Sequence, residues 1–157
     1  MPDYIETNNT FLNAIVNVHK LIQENQNVLE LRDIFQYDEL QLPQTPCVSI
    51  VFDNAGPEVM NIGDMGRCRA LMNVNLIIYL YLETLDIGIE TKEHIERMGI
   101  LTEALFKKNN LYGLCHTEPM TINSVKLVGR RIANNEIYLA GQYDITVPQR
   151  FCAGDLG

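Results

Sequence analysis

Chemistry in this chain would have to start from its three histidines, its four cysteines and a few acidic turns. His19, His94 and His116 fall on three separate segments, so no pair shares a helical turn. A hydrolytic zinc helix needs HExxH, which sets two imidazoles on one face; Thr91-Lys92-Glu93-His94 instead resembles a helix start, with a capping threonine and an early glutamate. His19 lies beside an apolar stripe with no second ligand at i+4, which predicts a hydrogen-bonded structural histidine. Cys115-His116 is the nearest approach to a thiol and its base, but adjacent side chains usually point apart. Gly56-Pro57 to Gly66 lacks the GxxxxGK[ST] phosphate loop, and Gly63-Asp64-Met65-Gly66 carries an acid where an anion would sit. Asp53-Asn54 and Asp64 lack the alternating oxygen ligands of a calcium loop. No catalytic, metal or cofactor-binding residue is predicted, and no cofactor.

Cys47, Cys68, Cys115 and Cys152 are widely spaced with no CxxC pair, so neither a zinc knuckle nor a redox motif is encoded. Thiols at synthesis are predicted. Pairing within or between subunits in an oxidising medium is the alternative, which non-reducing against reducing gels would reveal.

At 157 residues the chain fits one ordered domain able to bury a core without metal or disulfides. Its formal net charge of -8 opposes a broad phosphate-gripping surface. The adjacent basic pairs, Lys107-Lys108 and Arg130-Arg131, read as a solvated helix end and a solvated turn. The start, Met1 to Glu6, has no basic and apolar leader pattern, and nowhere do about eighteen apolar residues run together. These features predict a protein made and kept in a cytoplasm, with no membrane partner.

Helical spacing of Phe11, Ile15, Val18 and Ile22 predicts a first helix from about Thr7 to Glu24, stopped by Asn25, Gln26 and Asn27. Pro43 and Pro46 lead into a strand, Cys47 to Phe52. Asp53 to Gly66 is rich in Gly, Asp, Asn and Pro and predicts a long hairpin loop. A second helix is predicted from Thr91 to Lys108, where Gly99 implies a close approach to the sheet. Strands over Ile122 to Val128 and from about Glu136 to Val147 follow, joined by a turn from Gly129 to Asn135. The predicted class is α+β: a mostly antiparallel sheet of about four long strands with two helices on one face.

The sharpest periodicity runs from Arg69 to Glu83. Ala70, Met72, Val74, Leu76, Ile78, Leu80 and Leu82 place an apolar group at every second residue, so one face of this strand is wholly apolar. The opposite face carries Leu71, Asn73, Asn75, Ile77, Tyr79 and Tyr81, with no charge before Glu83. That mixture of amide, aliphatic and aromatic groups is the composition of a face that meets another protein. Asn73, Asn75, Ile77, Tyr79 and Tyr81 are therefore the predicted subunit-interface residues. Fifteen residues at about 3.3 Å each span roughly 50 Å, so the strand is predicted to project beyond its own domain.

In its order of elements the chain resembles the tail terminator, or tail-completion, proteins of long-tailed bacteriophages. The residues that carry the likeness are the N-terminal helix, Pro46 to Phe52 entering a sheet, a long loop, the strand Arg69 to Glu83, the helix Thr91 to Lys108 and a closing strand ending Tyr143 to Val147. The likeness is one of architecture and pattern, and no functional residue is carried over. It implies a ring, usually of six copies, that caps the tail tube, stops its polymerisation and offers the surface that joins tail to head. The implied partners are further copies of the chain, the tail tube protein, a head-tail connector or adaptor, and sheath or collar proteins, with DNA only passing through the lumen. The implied location is the virion neck, after assembly in the host cytoplasm. The loop from Asp53 onward would serve as a docking element, with Asn54, Gly56, Pro57, Asp64 and Arg67 as its candidate residues. A head-tail adaptor or other neck protein is the alternative within the same particle. A small cytoplasmic α+β enzyme or ligand-binding domain is the alternative of another class.

Overall fold

In the computed structural model, the described residues are 10–38, 44–59, 69–84, 91–107, 120–132 and 136–152. The helical stripe of the N-terminal segment forms α1 (Thr10–Glu24), which buries Ala14, Ile15, Val18, Leu21 and Ile22. Phe11, predicted on that stripe, is 39% exposed, and its ring meets Phe52 at 5.1 Å. Of the predicted polar stop only Asn25 interrupts the helix, its amide donating to the Leu21 carbonyl at 3.0 Å, while Gln26 and Asn27 are helical again. A single turn, α2 (Gln26–Leu29), follows and closes at Glu30, whose φ of 55° is left-handed.

A short strand then appears where only loose alternation is present in the sequence. β1 (Asp33–Phe35) pairs parallel with β2 (Cys47–Val59). β3 (Arg69–Thr84), α3 (Thr91–Lys107), β4 (Thr121–Arg131) and β5 (Ile137–Cys152) complete the order. The sheet runs β1-β2-β3-β5-β4, and every pair except β1–β2 is antiparallel. The class is α+β, with five strands rather than about four and with a third, one-turn helix.

One sheet face and the helices make the core. Val48, Ile50, Val74, Leu76, Ile78, Leu80, Tyr143, Ile145 and Val147 pack with the α1 stripe and with Met98, Leu101 and Leu105 of α3. Tyr143, fully buried, donates its hydroxyl to the Met98 carbonyl, with the Thr102 hydroxyl at 3.1 Å, so α3 is pinned over β5. Arg97 ties α3 to the end of α2, donating to the Leu29 carbonyl at 3.1 Å and to the Glu30 carboxylate at 3.0 Å.

Three sequence-based expectations are corrected. The loop predicted from Asp53 is strand as far as Val59, because Asp53 is taken up as an extra residue between the pairs Phe52↔Leu76 and Asn54↔Asn75. Pro57 is tolerated there because β1 reaches only to Ser49, leaving β3 as the sole strand neighbour of this part of β2 among the described residues. The turn predicted from Gly129 begins later, since Gly129, Arg130 and Arg131 pair with Leu139, Tyr138 and Ile137. Gly99 is not the close approach: space around it is open, whereas a Cβ on Gly141 of β5 would lie 2.8 Å from Met98 Cγ.

Strand length outruns helix length. β3 and β5, at 16 residues each, reach roughly 50 Å at about 3.3 Å per residue. α1 and α3, at 15 and 17 residues, reach about 22–26 Å at 1.5 Å per residue. Each of these helices is thus about half as long as these strands, and among the described residues the helices pack on one face of the sheet.

Candidate functional site

The second face of the sheet is built by the alternate residues of the same strands, and the cluster packed on it contains no helix residue. Two bulges set what this face presents. Asp53 in β2 switches the alternation, so that Asn54 comes to stand opposite Asn75, and Asn123 in β4 is the extra residue between the pairs Ile122↔Ile145 and Ser124↔Asp144.

At one level of the face these residues form a hydrogen-bonded row across four strands. The Asn123 amide donates to the Thr146 hydroxyl at 2.8 Å, and that hydroxyl donates to Asn75 Oδ1 at 2.6 Å. The Asn75 amide donates to Asn54 Oδ1 at 2.6 Å, and the Asn54 amide to Asp53 Oδ2 at 2.9 Å. Every donor points the same way, from β4 towards β2, and the row ends on a carboxylate able to accept without donating. Such a row satisfies the amides without water and fixes strand register where turn-like composition would otherwise loosen it.

The next level is mixed. Val51, Ile77 and Asp144 stand side by side in register, and Asp144 accepts from Ser124 at 2.7 Å and from Gln142 at 3.3 Å. Ile77 and Tyr79 are half-buried, available in part to a partner.

At the other end lies an aromatic cluster. Cys47, Tyr81 and Ala140 are fully buried there, packed by Phe35, Tyr79, Val128 and Tyr138. The Arg130 guanidinium stacks 3.8 Å from the Tyr79 ring centroid, donates to the Tyr81 hydroxyl, and binds Asp38 through two bonds of 2.7 Å each. Burial pushes the Tyr81 phenol up to about 12, against the opposing pull of the Arg130 hydrogen bond. The Asp38 carboxylate, the largest influence, holds the Arg130 proton more tightly than usual.

The predicted interface residues thus share a face but not an exposure. Asn73, Asn75, Ile77 and Tyr79 are partly accessible, whereas Tyr81 is 0% exposed, because Arg130, Tyr138 and the β1 side of the cluster close over it. Tyr81 is corrected from interface to monomer core. Of the predicted docking residues, Asn54 and Gly56 belong to the strand face and Pro57 to β2, while Asp64 and Arg67 lie outside the described residues. Cys47 is a buried thiol; Cys68 and Cys115 lie outside the described residues, as does the side chain of Cys152. His19 is held by a hydrogen bond with the Ile34 backbone, and burial lowers its affinity for a proton. His94 is buried in α3, and His116 lies outside the described residues. Among the described residues no group of three or more His, Cys, Asp or Glu is placed to hold a metal ion, and no helix is long and apolar enough to cross a membrane.

Sequence reasoning found Asn75 but missed its row, since Asn54 read as a turn residue and nothing local to Thr146 or Asn123 points across the strands. It also missed Arg130, whose aromatic and acidic neighbours lie on β3 and beyond β1. Comparison with known proteins finds no family model and no curated protein that matches the chain.

Proposed function

We propose that the protein is a structural, non-catalytic ring subunit of a long-tailed bacteriophage, of the tail terminator type, which caps the tail tube and offers the joining surface to the head. The observation that carries this reading is the helix-free sheet face on strands of roughly 50 Å, with partly accessible Asn75, Ile77 and Tyr79 at its centre. Along β3 this face carries amide, aliphatic and aromatic groups with no charge before Glu83, a composition that suits burial against protein. The described helices pack on the opposite face, and a head-to-tail contact through this one closes into a ring when its rotation closes. The net charge of -8 suits a lumen through which DNA passes without adhering.

The test is the mass of the purified protein, alone and with tail tube protein, by light scattering with negative-stain imaging. A six-fold ring, or tubes capped at finite length, is the expected result; rings that form only on tubes support the same reading. Twelve-fold rings that ignore tubes would replace it with a head-tail adaptor. A strict monomer indifferent to tubes would overturn it in favour of an enzyme or ligand-binding domain.

A further inference from the structure

The aromatic end of the sheet face is closed without a helix, and the way it is closed carries an inference of its own. Asp38 lies three residues past β1, at one side of the sheet, while Arg130 belongs to β4 at the opposite side. Arg130 stands in register with Tyr138 of β5, yet its guanidinium reaches Tyr79 and Tyr81 on β3. Asp38 and Arg130 therefore meet above the strands that separate their own elements.

We propose that Asp38 and Arg130 form a latch, sensitive to ionic strength, that holds residues 36–38 across the sheet and keeps the aromatic end closed over Cys47 and Tyr81. The two side chains are 25% and 36% exposed, so water and salt reach the pair, and its attraction weakens as the salt concentration rises. What lies beneath is different in kind: Cys47 and Tyr81 are fully buried, although among the described residues no helix residue packs with them. A contact that salt can reach thus guards a dry one. Opening the latch uncovers a thiol and a phenol on the face that is otherwise open, while the core on the helix side stays intact. The latch is a property of the single chain and stands whether or not the chain forms a ring.

The test uses the full chain and the Cys47 thiol as reporter. N-ethylmaleimide labelling of Cys47 is followed by peptide-resolved mass spectrometry in 0.01 to 1 M NaCl, over which the screening length falls from about 30 Å to about 3 Å. In the unaltered protein the Cys47 rate is expected to rise about tenfold across that range. Asp38→Asn should label about tenfold faster at low salt and lose the salt dependence, while Asp38→Glu retains protection. Asp38→Asn labelling at the unaltered rate, or a flat salt response of the unaltered protein, overturns the latch. If Asp38→Asn fails to fold, the salt series alone decides. Amide exchange in β3 at Leu76 to Ile78 should not follow the Cys47 rate; if it accelerates equally, opening is global and the latch is overturned.

Discussion

Tyr79 and Tyr81 sit two residues apart on one strand face and differ in almost everything that matters. The alternation of β3 gives them the same direction, and nothing within that strand distinguishes a partly accessible ring from one with no exposure. The difference is imposed from β4 and from the end of β1, by Arg130 and Asp38. That is why the face was legible in the sequence and the fate of its residues was not. Among the described tyrosines, burial raises the phenols of Tyr81, Tyr138 and Tyr143, and the shift is large enough to measure for two of them. Burial raises both Tyr81 and Tyr143 from 10.0 to about 12. An acid whose folded value is raised stabilises the fold fully below its unfolded value, and that contribution is lost as pH climbs through the folded value. Stability is thus expected to hold to about pH 10 and to fall between 10 and about 12. Phenolate absorbance near 295 nm should show these tyrosines ionising late, and far-UV circular dichroism should show unfolding in the same window. Early ionisation of all tyrosines with the fold intact would contradict the buried placement.

The elements that the sequence announced were those with long, unbroken periods: α1, α3, β3 and β5. The elements it hid were those in which a local signal pointed elsewhere. β1 is three residues long, too short for a period, and is held by its parallel pairing with β2. β2 carries Asp53, Asn54, Gly56 and Pro57, which signal a turn, but a bulge absorbs the mismatch and pairing with β3 continues to Val59. The docking of α3 was misplaced for a similar reason, since a helical glycine and a strand glycine look equally permissive in sequence. Two substitutions separate them. Gly141→Ala forces a Cβ to within 2.8 Å of Met98 Cγ and should cost about 1–3 kcal/mol as α3 is lifted from Tyr143. Gly99→Ala, with open space around it, should stabilise by about 1 kcal/mol through helix propensity alone. Urea titrations of both variants check the signs, and a neutral Gly141→Ala would mean that α3 is not seated as described.

For the whole molecule, the decisive question is what meets the helix-free face. Because Tyr81 belongs to the monomer, the informative change is at Ile77, half-buried and in register with Asp144. Ile77→Lys sets an ammonium beside that carboxylate and lays its stem along the sheet, so the monomer should fold with little loss. Self-association through this face should weaken tenfold or more, about 1.4 kcal/mol or above, by sedimentation or light scattering. Unchanged assembly would move the interface elsewhere. The strand order carries one more consequence. β4 pairs with β5, and β5 occupies the place between β3 and β4. During synthesis, β4 therefore emerges with its partner unmade, and β3 waits with one side open until residues 137–152 have left the ribosome. The sheet closes in a single late step that joins distant parts of the chain, which favours slow folding. An aggregation hazard precedes that step, and any surface that spans β3 and β5 comes into being only after it. Premature partnering of nascent chains through that surface is thereby excluded by topology.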